Sequence, residues 1–405
     1  MSTATGLLFA AALIASPLRN CALVVVPPLS LGMPVVVQID FAEVARALGA
    51  KAEVKVGATD VKAAIVSAEG LKPVASQYDP MGPAQGELTL AMPASDTEQR
   101  VAVFFTADSP ELAAPVLEQP LRVERRGNAV VVDNGFVRVT HDPARQGGLP
   151  SRWEFARSGK VFEHYNNNDR VWDKAGLGGF HLRNCPTPRV ELTASGPLRA
   201  VVRVTAYYAN AEGKRPPSAP EAVYEYSYFA GSPFVLLRAA ISQRERFDWS
   251  ELHVVEINFP GTDFTRWVVP GGEGPLAANK SSQRGAGWAA LADDAGNVLA
   301  VLAPSCIIYD GRGEYGTYLH GPWVSWSTLE NTFDVALYAS SEPDALARLS
   351  GANAAQATPR SGRVSTPALE EALSRLRQVG RKGNKRWGWV AALIERMSQR
   401  RLADA

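Results

Sequence analysis

Between Leu121 and about Tyr338 the chain alternates apolar and polar residues almost without pause. In "LRAVVRVTAYYA", Leu198, Ala200, Val202, Val204 and Ala206 fall on one face of an extended strand, and Arg199, Arg203, Thr205 and Tyr207 fall on the other. "AVYEYSYFAGSPFVLLRAAIS" is two such runs split by Gly231-Ser232-Pro233, the composition of a hairpin. "DNGFVRVTHDPARQGGLPS" reads as a strand through Phe136, Val137 and Val139. His141-Asp142-Pro143 stops it, and Gly147-Gly148 turns the chain toward a second strand at Trp153–Phe155. "SELHVVEINFPG", "GWAALADDAGNVLAVLAP" and "NTFDVALYAS" continue the pattern. Long antiparallel strands joined by polar turns, with no helices between them, predict a large sandwich rather than a parallel α/β sheet.

Ahead of this region, "PVVVQIDF" and "RVAVFFTAD" are short β-rich runs, and "AEVARALG" is a brief helical turn ended by Gly49. The prolines of "SPELAAPVLEQP" mark a linker. In the tail Thr366 serves as an N-cap, Pro367 as the first helical residue and Gly380 as a stop, with a second amphipathic segment from about Trp387. Its basic residues, among them Arg381, Lys382, Lys385 and Arg386, read as a solvated helical face before they read as a binder of anionic surfaces. The expected class is therefore mainly β: a small N-terminal β-sandwich, a large antiparallel β supersandwich and a short helical C-terminal tail. The boundaries are 1–22 for a leader, 23–108 for the first module, 109–120 for the linker, 121–345 for the large domain and 346–405 for linker and tail.

At 405 residues, with 46% hydrophobic residues, the chain can build two or three cored domains. A formal net charge of +1 lacks the broad positive field that nucleic-acid binding uses, so no nucleic-acid partner is expected. The three cysteines, Cys21, Cys185 and Cys306, lie far apart with no CxxC. They make neither a zinc motif nor a disulfide framework, and lone thiols are favoured over a Cys185–Cys306 bridge. The apolar stretch Gly6–Ile14 suits a secretory h-region and is too short to span a bilayer, although no Lys or Arg precedes it. A signal peptide and a misassigned start codon are both open, with a secreted or periplasmic location favoured. No later segment is apolar enough for a transmembrane helix. GxGxxG after a strand, Walker A, GxSxG and HExxH are all missing from the sequence, which disfavours nucleotide chemistry, serine-hydrolase chemistry and zincin proteolysis.

"VVVDNGFVRVTHDPARQGGLPSRWEF" resembles the opening of galactose-mutarotase-like supersandwich domains: an N-G-F-x-V strand, then D-P…G-G, then a strand bearing an aromatic residue. "LLRAAISQRERFDWSELHVVEINFPG" and "GWAALADDAGNVLAVLAP" are similar to later strands of such domains, and the resemblance covers roughly residues 121–340. The segment with "VVVQIDFAEVARALG" and "PVASQYDP" resembles the Ig-like β module found ahead of catalytic domains in polysaccharide-degrading enzymes. The resemblance implies a carbohydrate-active protein with a polysaccharide or oligosaccharide partner. A polysaccharide lyase acting by β-elimination on uronates stands slightly ahead of a glycoside hydrolase. A non-catalytic carbohydrate-binding protein and an aldose mutarotase-like epimerase are the alternatives. The fold cannot choose among them, because function resides in the site.

A sugar site needs flat apolar platforms, converging polar groups and proton carriers. The densest supply is "FEHYNNNDRVWDKAGLGGFHLRN". There His164, Tyr165, Asn167, Arg170 and Trp172 crowd one loop, and alternation in "GGFHLRN" places His181 and Arg183 on one strand face. Strand "WSELHVVEINFPG" offers His253 with Glu251 on one face and Glu256 with Asn258 on the other, so His253 and Glu256 cannot meet on a regular strand. "YDGRGEYGTYLHGPWVSWSTLEN" supplies Tyr315, Tyr318, His320, Trp323 and Trp326 for stacking on sugar rings. Catalysis is thus expected from among His181, His253, Glu256, Tyr165 and His164, with the remaining residues binding substrate. For a lyase, Arg183 or Arg170 would neutralise the carboxylate, His181 or His164 would take the proton, and Tyr165 or Tyr315 would protonate the leaving oxygen. For a hydrolase, two carboxylates about 5–10 Å apart would come from Glu163, Asp169, Glu251, Glu256 and Glu314. No cofactor is expected; the Asn166–Asp173 loop could hold calcium, but its spacing matches no calcium loop.

Overall fold

Along Arg199–Tyr207, Ala200, Val202, Val204 and Ala206 are all buried and Arg203, Thr205 and Tyr207 reach solvent, whereas Arg199 and Val201, at the start of the strand, are buried on the face read as polar. The computed structural model describes residues 21–29, 34–50, 54–106, 110–113, 115–311, 316–351, 363–366 and 370. The Gly6–Ile14 stretch, Glu314, Tyr315 and, Glu370 apart, the expected tail helices from Pro367 through Gly380 and beyond Trp387 lie outside the described residues. The chain divides into two units, 1–118 with 359–405, and 119–358.

The first unit contains two antiparallel sheets. Arg363–Ser365, Ala22–Val26, Gln99–Phe104, Lys62–Ser67 and Gly70–Val74 form one, in that order, and Pro34–Asp40, Gln85–Ala91 and Ser76–Pro80 form the other. Val24, Val26, Val35, Leu88 and Val101 share one core between them. The helix Phe41–Ala47 starts where Asp40 caps it, its Oδ1 accepting from the amides of Ala42 and Glu43 at 2.8 and 3.0 Å. The segment read as tail therefore contributes an edge strand, Arg363–Ser365, paired with Ala22–Val26.

The second unit holds three antiparallel sheets of five, twelve and four strands around one core. The twelve-stranded sheet is the broad slab expected from the sequence. Its central strands Glu221–Phe229, Phe234–Ser242 and Glu330–Ser340 run nine to eleven residues. The stripe Tyr224, Tyr226 and Tyr228 is buried inside it. Cys21, Cys185 and Cys306 are all buried free thiols, and no helix of the described residues is long and apolar enough to cross a membrane.

The hairpin that opens this unit pairs Val137–His141 with Pro150–Phe155. Its turn is anchored by His141, whose ring bonds the Gly148 carbonyl at 3.1 Å and the Tyr228 hydroxyl at 2.6 Å. Gly147 sits at φ 66°, and a Cβ there would collide with the Leu182 carbonyl oxygen. The turn thereby rests directly on the backbone that carries Arg183.

Candidate functional site

The four-stranded sheet runs in the order Gly178–His181, Arg170–Asp173, Trp249–His253, Trp323–Trp326. Its register sets His181 opposite Arg170, Arg170 opposite His253, and His253 opposite Trp323. Residues opposite one another in antiparallel strands project to the same face, so these four side chains form one row. Two residues along, Trp172 lies opposite Glu251 on that same face. Phe180, Val171 and Leu252, on the other face, are buried in the core. Trp323 and Trp172 remain 47% and 38% exposed, so aromatic surface borders the row.

After His253 the chain leaves this sheet. Val254 and Val255 form the link, Val255 in the left-handed region at φ 57°, and Glu256 then starts a strand of the twelve-stranded sheet opposite His320. A β-branched residue rarely adopts that conformation and is strained in it. The link cancels the alternation that would have set His253 and Glu256 on opposite faces. Asp169 holds it: its Oδ2 accepts from the Val255 amide at 2.7 Å and the Tyr224 hydroxyl at 2.8 Å, and its Oδ1 from the Glu256 amide at 3.1 Å. Burial pushes the Asp169 carboxyl above its ordinary range, against these three donors.

His253, Glu256 and His320 therefore converge. His253 Nδ1 lies against Glu256 Oε2 and 2.7 Å from His320 Nε2, which is itself 2.8 Å from Glu256 Oε2. The far side of each group is also held. His253 Nε2 faces Glu251 Oε2 at 2.8 Å, and His320 Nδ1 faces the Gly321 carbonyl at 2.8 Å. Glu256 Oε1 accepts from Arg170 Nη1 at 2.6 Å and from the Asn168 amide. Burial opposes ionisation of Glu256, which is 1% exposed, but its contacts with the two histidine rings and the Arg170 charge overcome it and hold the carboxyl well below its usual range. Glu251 is likewise lowered: partial burial is outweighed by Lys174, 2.7 Å away, and by His253.

Beside this cluster, burial and then the charges of Arg183 and Arg170 bring His181 down to about 4, so its ring is neutral at pH 7. Its Nδ1 is buried without a hydrogen-bond partner among the described residues. Arg183 is half-buried, which lowers its pKa, and it lies within the fields of Glu256, Tyr318 and Arg170. Its guanidinium forms no ion pair among the described residues. Tyr318 stands opposite Asn258, its hydroxyl pushed upward by burial and by the Glu256 charge.

The structure brings together His181, His253, Glu256, Arg170, Arg183, Trp172, His320 and Trp323. The strand of His181 ends there, where it bridges Ala209 at 2.7 Å, and Arg183 sits on the short helical turn Leu182–Asn184 instead of on the strand face the sequence implied. Four expectations fail on placement. Tyr165 is buried with its hydroxyl donating to the Pro150 carbonyl at 2.6 Å, and Asn167 donates to that same oxygen at 2.7 Å. The His164 side chain is 89% exposed, its contact being a loose 3.9 Å approach to Glu163. Trp326, 2% exposed, is a core residue bonded to Thr328. In the Asn166–Asp173 loop, whose spacing matched no calcium loop, Asp173 accepts from the amides of Ala175 and Leu177, and Asp169 is occupied as described, so both carboxylates serve the chain itself. The bonds from Asn168 to Glu256 and from Asp169 to the Val255 link were not read from the sequence; each depends on segments far apart in the chain.

No protein-family model matches the sequence, and no curated protein matches it. Among solved structures, an alpha-mannosidase from Enterococcus faecalis V583 matches at TM-score 0.53 and 13% identity over 86% of this chain and 46% of its own. A glycosyl hydrolase family 38 protein from Enterococcus faecalis matches at TM-score 0.52 and 12% identity over 87% and 48%. A galactose mutarotase-like protein from Lactobacillus casei ATCC 334 matches over 52% of this chain and 99% of its own, at 10% identity and TM-score 0.35. The chain spans a little under half the length of the two Enterococcus proteins. The likeness to the two Enterococcus proteins is one of fold, the mainly antiparallel β architecture expected from the sequence.

Proposed function

We propose that this is a carbohydrate-active protein whose 119–358 unit receives an acidic glycan on the face bearing Arg183, His181, Trp172 and Trp323, and cleaves it by β-elimination. One observation carries this reading: a half-buried guanidinium without a counter-ion among the described residues adjoins an imidazole that is unprotonated at neutral pH. Arg183 would offset the uronate carboxylate and so acidify the C5 proton. His181 would take that proton. The C5–H electron pair becomes the C4–C5 double bond, the C4–O bond breaks, and Tyr318 would protonate the departing oxygen. Trp172 and Trp323 would stack on flanking sugar rings. The fold likeness to an alpha-mannosidase supports a carbohydrate-directed role without favouring elimination over hydrolysis. What disfavours hydrolysis is the state of the carboxylates. Glu251 and Glu256 flank the His253 ring, but both are held ionised, so neither is ready to act as the general acid of a two-carboxylate mechanism.

Incubation with uronate-containing and neutral polysaccharides tests the proposal. Ultraviolet absorbance of an unsaturated uronate, appearing only with the acidic polymers, is the expected result. New reducing ends without that absorbance would replace elimination with hydrolysis. Binding without turnover would leave a carbohydrate-binding protein, and no binding to any glycan would overturn the carbohydrate reading.

A further inference from the structure

We propose that His253, Glu256 and His320 form a binding site for one divalent transition-metal ion, through His253 Nδ1, His320 Nε2 and Glu256 Oε2. The case rests on which ring nitrogens carry hydrogen. The Gly321 carbonyl has no hydrogen to give, so the 2.8 Å bond from His320 Nδ1 requires N–H there and leaves a lone pair on Nε2. The Glu251 carboxylate is ion-paired with Lys174, so His253 Nε2 must donate to it, which leaves a lone pair on Nδ1. Both lone pairs meet Glu256 Oε2 at one point. Three lone pairs aimed at one point need positive charge between them. A single proton serves one pair of these atoms, whereas a divalent cation serves all three.

The surroundings match what such a site requires. A metal-ligating histidine characteristically gives its other N–H to a carboxylate or a backbone carbonyl, which fixes tautomer and ring angle. Glu251 and Gly321 fill those two roles. The second oxygen of Glu256 is occupied by Arg170 and Asn168, which leaves Oε2 to face the histidines. The strained link at Val255, clamped by Asp169, is what brings His253 and Glu256 together across two sheets. Two imidazoles and one carboxylate suit zinc, iron, nickel or copper and not calcium or magnesium, which prefer oxygen ligands. Three protein ligands leave a fourth tetrahedral position for water or substrate.

The test uses the untagged full chain, stripped with a chelator and titrated with zinc chloride by calorimetry, and separately with cobalt(II) followed by visible absorption. One zinc per chain at micromolar or tighter affinity is expected, with a cobalt spectrum of tetrahedral or five-coordinate nitrogen and oxygen ligation. His320→Ala should weaken zinc binding at least 100-fold, and Glu251→Gln, which removes the carboxylate behind His253 and its ion pair with Lys174 but no ligand, about 10- to 100-fold. His164→Ala, on an exposed surface histidine, should leave binding unchanged. Absence of stoichiometric zinc and cobalt binding by the wild-type chain would overturn the proposal without recourse to any variant. Full binding by a folded His253→Ala/His320→Ala chain would do the same. Since no glycan is involved, a negative result here leaves the carbohydrate reading standing, and a negative glycan result leaves the metal site standing.

Discussion

The Asp169 carboxylate accepts the amide hydrogen of Val255 at 2.7 Å, and Val255 is the residue whose left-handed backbone lets the chain step from one sheet to the next. This buried contact sets the relation between His253 and Glu256, since the same carboxylate also receives the Glu256 amide. Asp169→Ala would leave two amides and the Tyr224 hydroxyl buried without acceptors. A loss of at least about 3 kcal/mol in denaturant unfolding is expected. Tyr224→Phe removes one donor of the three and should cost about 1–2 kcal/mol, and the double variant should lose less than the sum.

The two tryptophans of one strand should behave in opposite ways. Trp326 is a core residue, and Trp326→Ala should destabilise by about 3–5 kcal/mol. Trp323 is 47% exposed beside the His253 and His320 rings, at 5.4 and 6.1 Å between centroids. Trp323→Ala should change stability by no more than about 1 kcal/mol while weakening glycan binding, as read by paired thermal unfolding and glycan titration.

Gly147 links the first hairpin to the site. Gly147→Ala places a methyl group against the Leu182 carbonyl oxygen at a backbone angle that disfavours any side chain. A stability loss above about 2 kcal/mol is expected, together with reduced binding of acidic glycans, because the backbone pushed aside is the one bearing Arg183.

His141 sets a pH dependence remote from the site. Burial, opposed by its bond to Gly148, lowers its pKa from 6.5 to about 4. Below pH 6.5 the unfolded chain takes up a proton that the folded chain refuses, so stability falls as pH drops. The slope from this group approaches about 1.4 kcal/mol per pH unit and ends near pH 4, where the folded state also protonates. Unfolding free energies at pH 7, 6 and 5 should show this decline, and His141→Gln should remove the His141 share of it, leaving the share of His181, whose pKa is likewise lowered to about 4.

The broad slab was legible because alternation in strands such as Arg199–Tyr207 is a local signal, and one face of each strand is buried. The row of His181, Arg170, His253 and Trp323 was legible only as separate residues, since register between strands as far apart as those of Arg170 and His253 is not written in any one segment. Strict alternation kept His253 and Glu256 apart, and the two-residue link that joins them is unremarkable in sequence, two valines. The density of polar residues at 163–167, just ahead of the Asn168, Asp169 and Arg170 that do reach Glu256, misled in a different way. Tyr165 and Asn167 turn inward to the Pro150 carbonyl and His164 points to solvent, so crowding in sequence did not become crowding in space.

Arg183 offers the most direct test of how this protein recognises its ligand. Binding of a uronate oligosaccharide and of its neutral counterpart should be titrated against the wild-type chain and against Arg183→Ala, with folding checked by circular dichroism and thermal midpoint. The expected result is a preference for the uronate in the wild type that falls at least tenfold in the variant, with the neutral sugar unaffected. Equal affinity for both sugars in the wild type, or an undiminished uronate preference in folded Arg183→Ala, would contradict it.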